Sequence, residues 1–256
     1  MAYMELNLYS RVLNLDIPVS MILPQRPEEP LKTIWLYHGS TGDHTLWARY
    51  TNLERYARER NLAVVIPTAH KSMFTNMVHG QEYGTFLGEE LVARLRQIFP
   101  CLSERREDNY VGGLSNGAYG AFRIGLRYPE TFSAIGAFSG GDAGDQYFTD
   151  DGTYRGRRHV LVFGEGCPAE SEHGVKYLGR LSEAGGPFPR IYHAAGALEP
   201  SGSGDGLTSF FKDLPFEYKF EVFPGVAHEW KLWDQAVYRY INDFLGIHPV
   251  TERYYL

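Results

Sequence analysis

Apolar, β-rich runs alternate with segments of helical period along most of this chain, and that alternation leaves few folds open. "KTIWLYHG" (32–39), "LAVVIP" (62–67), "NYVGGLS" (109–115), "FSAIGAFSG" (132–140), "PRIYHAAG" (189–196) and "FEYKFEVFPG" (216–225) read as strands. Between and after them, "LWARYTNLERYARER" (46–60), "TFLGEELVARLRQIFP" (85–100), "NGAYGAFRIGLRYP" (116–129), "SEHGVKYLGRLSEAGG" (171–186), "GLTSFFKDL" (206–214) and "HEWKLWDQAVYRYINDFL" (228–245) read as helices. Strands separated by helices are joined by crossovers, so the pattern predicts an α/β fold: a mostly parallel central sheet with helices on both faces. Two further strands, "YMELNLYS" and "IPVSMIL", precede a proline-rich connector, "PQRPEEP". With 256 residues and 43% hydrophobic content, a single domain over 1–256 has enough apolar surface for its core. Within 141–190 the pattern weakens, and a small lid or insertion is expected there. Its "VLVFG" run reads equally as strand or lid.

Charge and cysteine usage narrow the function classes. The net charge is −6, and the basic clusters "ERR" and "RGRR" are short. Neither feature suits a nucleic-acid partner, whose phosphates call for clustered Lys and Arg. No apolar run approaches the ~20 residues of a membrane span. The N-terminus lacks a basic region followed by an apolar one. Cys101 and Cys167 form no Cys-x-x-Cys and read as free thiols, so a cytoplasmic location is expected. The Asp-rich "GDAGDQYFTDDG" lacks Ca²⁺-loop spacing, so no metal is expected.

The turn at 113–117 carries the chemistry. Gly113-x-Ser115-x-Gly117 alone is a common pattern, but here it sits between a strand and a helix. A serine held on such a turn needs neighbours without bulk two residues before and after it. Gly113 and Gly117 meet that need. Ser115 is therefore a candidate nucleophile, with a chemically silent glycine turn as the alternative. A nucleophile of this kind needs two backbone donors for an oxyanion. The Asn116 N–H follows the serine. The Ser40 N–H lies in "LYHGSTGDHTLW" (36–47), after an earlier strand.

His228, in "PGVAHEWKLWD", lies between the last strand and the last helix, where a general base is expected. His248 falls beyond that helix, and His38, His44, His70 and His79 read as pocket or oxyanion-loop residues. Three carboxylates compete to orient the base. Glu199 in "AGALEP" is favoured by position, with Asp205 in the loop "SGSGDG" and Asp142 after "FSGG" as alternatives. Trp47, Phe74, Met77 and Tyr83 are candidate walls of an acyl pocket, each equally readable as core.

"LYHGSTGDHTLW", "ERYARERNLAVVIP", "SMFTNMVHGQEY", "GEELVARLRQIFP", "REDNYVGGLSNGAYGAFRIGLRYPETFSA", "AAGALEP" and "PGVAHEWKLWD" occur in this order along the chain. Together they resemble the tributyrin esterase family of α/β-hydrolases, small carboxylesterases related to esterase D and S-formylglutathione hydrolase. The resemblance implies the α/β-hydrolase fold, Ser115 as nucleophile, His228 as base, and Ser40 and Asn116 as backbone oxyanion donors. It implies no cofactor, a small ester substrate with a short acyl chain, and dimers or tetramers. Acetyl or feruloyl esters of plant polysaccharides and S-formylglutathione are alternative substrates; a non-hydrolytic binding protein on the same fold is a different class. Two departures stand out: the family usually has a bulky apolar residue at Asn116 and Asp at Glu199.

Overall fold

The structure, a computed structural model, describes residues 1–25, 27, 30–141, 147–168, 174–182, 185–200 and 205–250. It opens with a hairpin, β1 (Ala2–Ser10) and β2 (Leu15–Leu23). Next come β3 (Thr33–Tyr37), α1 (Leu46–Tyr50), α2 (Leu53–Glu59) and β4 (Ala63–Pro67). One helical stretch then runs from α3 (Tyr83–Thr85) through a π-turn (Phe86–Glu90) into α4 (Leu91–Ile98). β5 (Asn109–Leu114) feeds α5 (Asn116–Arg127), and β6 (Ala134–Phe138) follows. A two-residue ladder between β7 (Tyr147–Phe148) and β8 (Cys167–Pro168) brackets α6 (Tyr154–Phe163). The chain continues through α7 (Val175–Ser182), β9 (Arg190–Gly196), α8 (Asp205–Lys212), β10 (Tyr218–Phe223) and α9 (Trp230–Arg239). A second π-turn (Tyr240–Phe244) extends α9.

Eight of the described strands form one sheet in the order β1-β2-β4-β3-β5-β6-β9-β10. β2 pairs antiparallel with β1 and β4, and every other neighbour is parallel. This is the mostly parallel sheet that the alternation predicts. Its two faces carry separate cores. Trp35 and Tyr37 of β3 point to the side packed by Phe86, Leu91, Phe122, Leu178 and Phe211. Ile34 and Leu36 point to the side packed by Trp47, Leu53, Leu232 and Ala236. Burial on both faces is why the central strands read as unbroken apolar runs, at about 2 kcal/mol per large side chain.

Three segments differ from their sequence reading. The helix expected over 46–60 breaks at Thr51, whose backbone is extended. Its hydroxyl donates to Trp47 O and accepts from Leu53 N, and Asp234 takes the Asn52 N–H. Side chains thus replace the helical ladder for two residues. The undecided "VLVFG" run is the C-terminal half of α6, whose N-cap Thr153 accepts from Gly156 N at 3.0 Å. Asp205, expected on a loop, is the first residue of α8.

Parallel strands bring their C-terminal ends to one edge of the sheet, where sites on such folds are built. The segments that leave β3, β5, β6, β9 and β10 there carry Ser40, Ser115, Ser139, Glu199 and His228.

Candidate active site

Ser115 has φ 54° and ψ −117°, a conformation that costs a non-glycine residue about 1–3 kcal/mol. The surroundings leave it no alternative. Its N–H donates to Phe138 O at 2.8 Å, and its carbonyl accepts from Ala118 N at 3.0 Å. A β-carbon on Gly113 would stand 2.3 Å from Gly117 O, and one on Gly117 would stand 2.6 Å from both Tyr37 O and His38 O. Any side chain at either glycine would push α5 off the sheet. The turn also leaves the first N–H groups of α5 facing the serine, at the positive end of the helix dipole.

His228 and Glu199 complete a hydrogen-bonded chain with this serine. Ser115 Oγ lies 3.0 Å from His228 Nε2, and His228 Nδ1 lies 2.9 Å from Glu199 Oε1. A carboxylate only accepts, so Nδ1 carries the proton and Nε2 is free to accept from the serine hydroxyl. The His228 side chain is 47% exposed, whereas that of Glu199 is 1% exposed. Burial works to raise the Glu199 pKa, but hydrogen bonds from His228, Ser139 and the Gly196 N–H outweigh it and hold the group below the usual carboxylate range. The Gly196 N–H donates to Glu199 Oε2 at 3.2 Å. Such an arrangement can deprotonate the hydroxyl as it attacks and stabilise the resulting imidazolium.

Ser139 is a site residue that the sequence reading passed over. It has φ 61°, is 5% exposed, and follows β6 directly. Its hydroxyl donates to Glu199 and accepts from Trp233 Nε1 at 2.9 Å. Trp233 also meets the His228 ring edge-on at 5.0 Å. One tryptophan of α9 therefore braces both partners of the serine. The only sequence signal was a serine ahead of two glycines at a strand end.

Ser40 and Asn116 flank Ser115 from two sides. A β-carbon on Gly39 would be 3.7 Å from Ser115 Cβ, which puts the Gly39–Ser40 peptide beside Ser115. Gly39 and Gly42 close a turn through Gly42 N–H to Gly39 O at 3.0 Å, and Lys71 Nζ donates to Ser40 O. Among the described residues, neither the Ser40 nor the Asn116 N–H has a hydrogen-bond partner.

The remaining candidates divide. Trp47, Phe74 and Tyr83 are 0, 2 and 3% exposed and lie in the core rather than on an open wall. Trp47 packs on Phe138 and Trp230 and donates to Tyr37 O; Phe74 stacks on Tyr37; Tyr83 meets Phe86 edge-on. Met77 is half-buried and packs against Met73, Val162 and Phe163, so α6 sits over the 73–79 loop. His38 is fully buried, His44 bonds Thr68, His70 lies edge-on to Tyr83, and His79 and His248 are exposed. Asp142 lies outside the described residues. Cys101 and Cys167 are free thiols. Among the described residues, no His, Cys, Asp and Glu side chains gather as a metal site, and no helix is long and apolar enough to cross a membrane.

Comparison with known proteins shows the family and the fold. The Esterase family model matches residues 10–161. An acetyl esterase of Caldicellulosiruptor saccharolyticus is 30% identical, over 93% of this chain and 96% of that protein. Among solved structures, the fluorophosphonate-binding serine hydrolase FphF of Staphylococcus aureus superposes with a TM-score of 0.83 at 27% identity, covering 95% of this chain and 98% of that one. The S-formylglutathione hydrolase FrmB of the same organism gives 0.80 at 28% identity, with the same coverages.

Proposed function

The chain belongs to the Esterase family and is a serine carboxylic ester hydrolase of the α/β-hydrolase fold, and on that premise we propose that Ser115 is its nucleophile, His228 its general base and acid, and Glu199 the carboxylate that orients His228. The observation that carries this reading is the Ser115–His228–Glu199 hydrogen-bond chain at 3.0 and 2.9 Å, set on a strained turn at a helix N-terminus. Ser115 Oγ attacks the ester carbonyl as its proton passes to His228 Nε2. The oxyanion takes the Ser40 and Asn116 N–H groups. His228 then returns the proton to the leaving alcohol, and an acyl-enzyme remains. Water, deprotonated by His228, releases the acid and restores the serine.

Short-chain acyl esters are the proposed substrates, and acetyl esters come first because the relative from Caldicellulosiruptor saccharolyticus is an acetyl esterase. Esterified saccharides are a narrower version of the same proposal. We read residues 1–256 as one domain, with a small lid or insertion within 141–190. The direct pairing of β6 with β9 supports this, since the segment departs from one strand and returns to its neighbour. The two free cysteines support a reducing compartment such as the cytoplasm.

The test is labelling followed by turnover. A fluorophosphonate should add one phosphonyl group at Ser115, read by peptide mass spectrometry. Ser115→Ala should abolish both the label and p-nitrophenyl acetate hydrolysis, a loss of about 10⁶-fold in kcat. Retained turnover in that variant would sink the assignment. Relative kcat/KM for acetyl, butyryl, octanoyl and feruloyl esters then ranks the substrates.

A further inference from the structure

His38 is fully buried beneath the site, yet no step of the proposed reaction uses it. Its ring is held from both sides. Nδ1 lies 2.7 Å from Gly39 O, and the Ala69 N–H points at Nε2 from 2.9 Å. The amide can only donate and the carbonyl can only accept, so the ring is neutral, with its proton on Nδ1. Burial keeps it so by pushing its pKa down to about 4.

The bond to Gly39 O has a geometric consequence. In a trans peptide the C=O and the next N–H point in opposite directions in one plane. Drawing the Gly39 carbonyl toward the buried ring therefore turns the Ser40 N–H the other way, into the space beside Ser115. The bond from Ala69 fixes the ring itself to the 69–74 loop. That loop is stiff. Met73 and Phe74 both have positive φ, at 56° and 59°. Ser72 Oγ donates to Ala69 O and accepts from Phe74 N, while Arg123 holds Met73 O at 2.8 Å.

We propose that His38 is the positioning residue of the oxyanion hole: it clamps the Gly39 carbonyl against the 69–74 loop and so aims the Ser40 N–H at the reacting carbonyl. This rests on the reading of Ser40 as an oxyanion donor. His38 touches no substrate and transfers no proton. Its effect falls on transition-state stabilisation rather than on substrate binding.

Two substitutions separate the two bonds. Asn carries an N–H where Nδ1 stands, so His38→Asn keeps the donation to Gly39 and leaves the Ala69 N–H unpaired. Gln reaches Ala69 with an oxygen, so His38→Gln keeps that bond and leaves Gly39 O to the Gly42 N–H alone. Steady-state kinetics on p-nitrophenyl acetate should show His38→Gln losing about 10²-fold in kcat, the scale of a lost oxyanion donor, and His38→Asn losing no more than about fivefold. KM should move little in either. A purely structural histidine would instead make kcat follow the melting temperatures. Equal losses, a better Gln variant, or losses confined to KM overturn the proposal.

Should neither variant fold, nitrogen-15 NMR of the unmodified protein decides. The proposal requires the His38 proton on Nδ1, and a downfield move of the Ser40 amide proton once the fluorophosphonate occupies Ser115. A proton on Nε2, or a static Ser40 amide, overturns it. A static Ser40 amide beside a moving Asn116 amide shows that the donor reading itself has failed. Where the variants do fold, movement of both amides together with kcat that follows stability removes only the role of His38.

Discussion

The two sides of Ser115 are built on opposite plans. On one side His228, 47% exposed, stands on the loop after β10 and is steadied by a buried carboxylate. On the other, the Gly39–Ser40 peptide rests on a fully buried imidazole that is itself tied to a strained loop. The difference follows from the two proposed tasks. A group that takes up and returns protons must reach both the leaving group and water. Fixed dipoles act best when nothing near them has to reorganise during the reaction.

The largest expected test of this contrast acts on the exposed side. Glu199→Gln should lower kcat by about 10²–10⁴, because the amide no longer stabilises the imidazolium or fixes its tautomer. Asp205→Asn should leave kcat within about twofold, the ordinary range for a residue outside such a network. If the two results exchange places in steady-state assays, the orienting acid is misassigned. Ser139→Ala tests the layer below. It removes one donor to a charged group, so kcat should fall about tenfold while KM holds. An unchanged kcat would mean that His228 and Gly196 alone hold the carboxylate.

The smallest effect belongs to the buried side and is read in stability. His38 titrates at about 4, driven by burial, and so does His159, driven by burial and then by Arg158 and Arg155. An ordinary histidine titrates near 6.5. Between those values the unfolded chain binds protons that the folded chain refuses, so acid favours unfolding. The contribution is complete above about pH 6.5 and is lost as pH falls toward 4. The melting temperature should decline over that window by scanning fluorimetry, and His38→Asn should flatten part of the decline. An identical slope in the variant would show that His38 is not held neutral.

The strand and helix order was legible because each central strand is buried on both faces and outer helices such as α4 and α9 on one, which writes two distinct periods into the sequence. The meeting of Ser115, Glu199 and His228 was legible from their places at strand ends. Thr51 was not, because its hydroxyl breaks a helix whose apolar spacing continues across the gap. Ser139 was missed because its role depends on Glu199 and Trp233, 60 and 94 residues further along. Trp47, Phe74 and Tyr83 show the limit of composition, since an aromatic residue on a site loop reads the same whether it faces substrate or core.

The sheet order carries a consequence for synthesis. β3, β5 and β6, which cradle Ser115, lie within the first 138 residues, while Glu199 and His228 follow with β9 and β10 at the far end of the sheet. Chains emerge from the ribosome at about 5–20 residues per second. For several seconds, then, a growing chain can hold its serine turn against a partial sheet with nothing to draw off the hydroxyl proton. On the proposed roles, ester cleavage has to wait for the last helix, whose Trp233 contacts Ser139 and His228. A nascent chain with that triad is inert toward the esters around it until it is nearly whole.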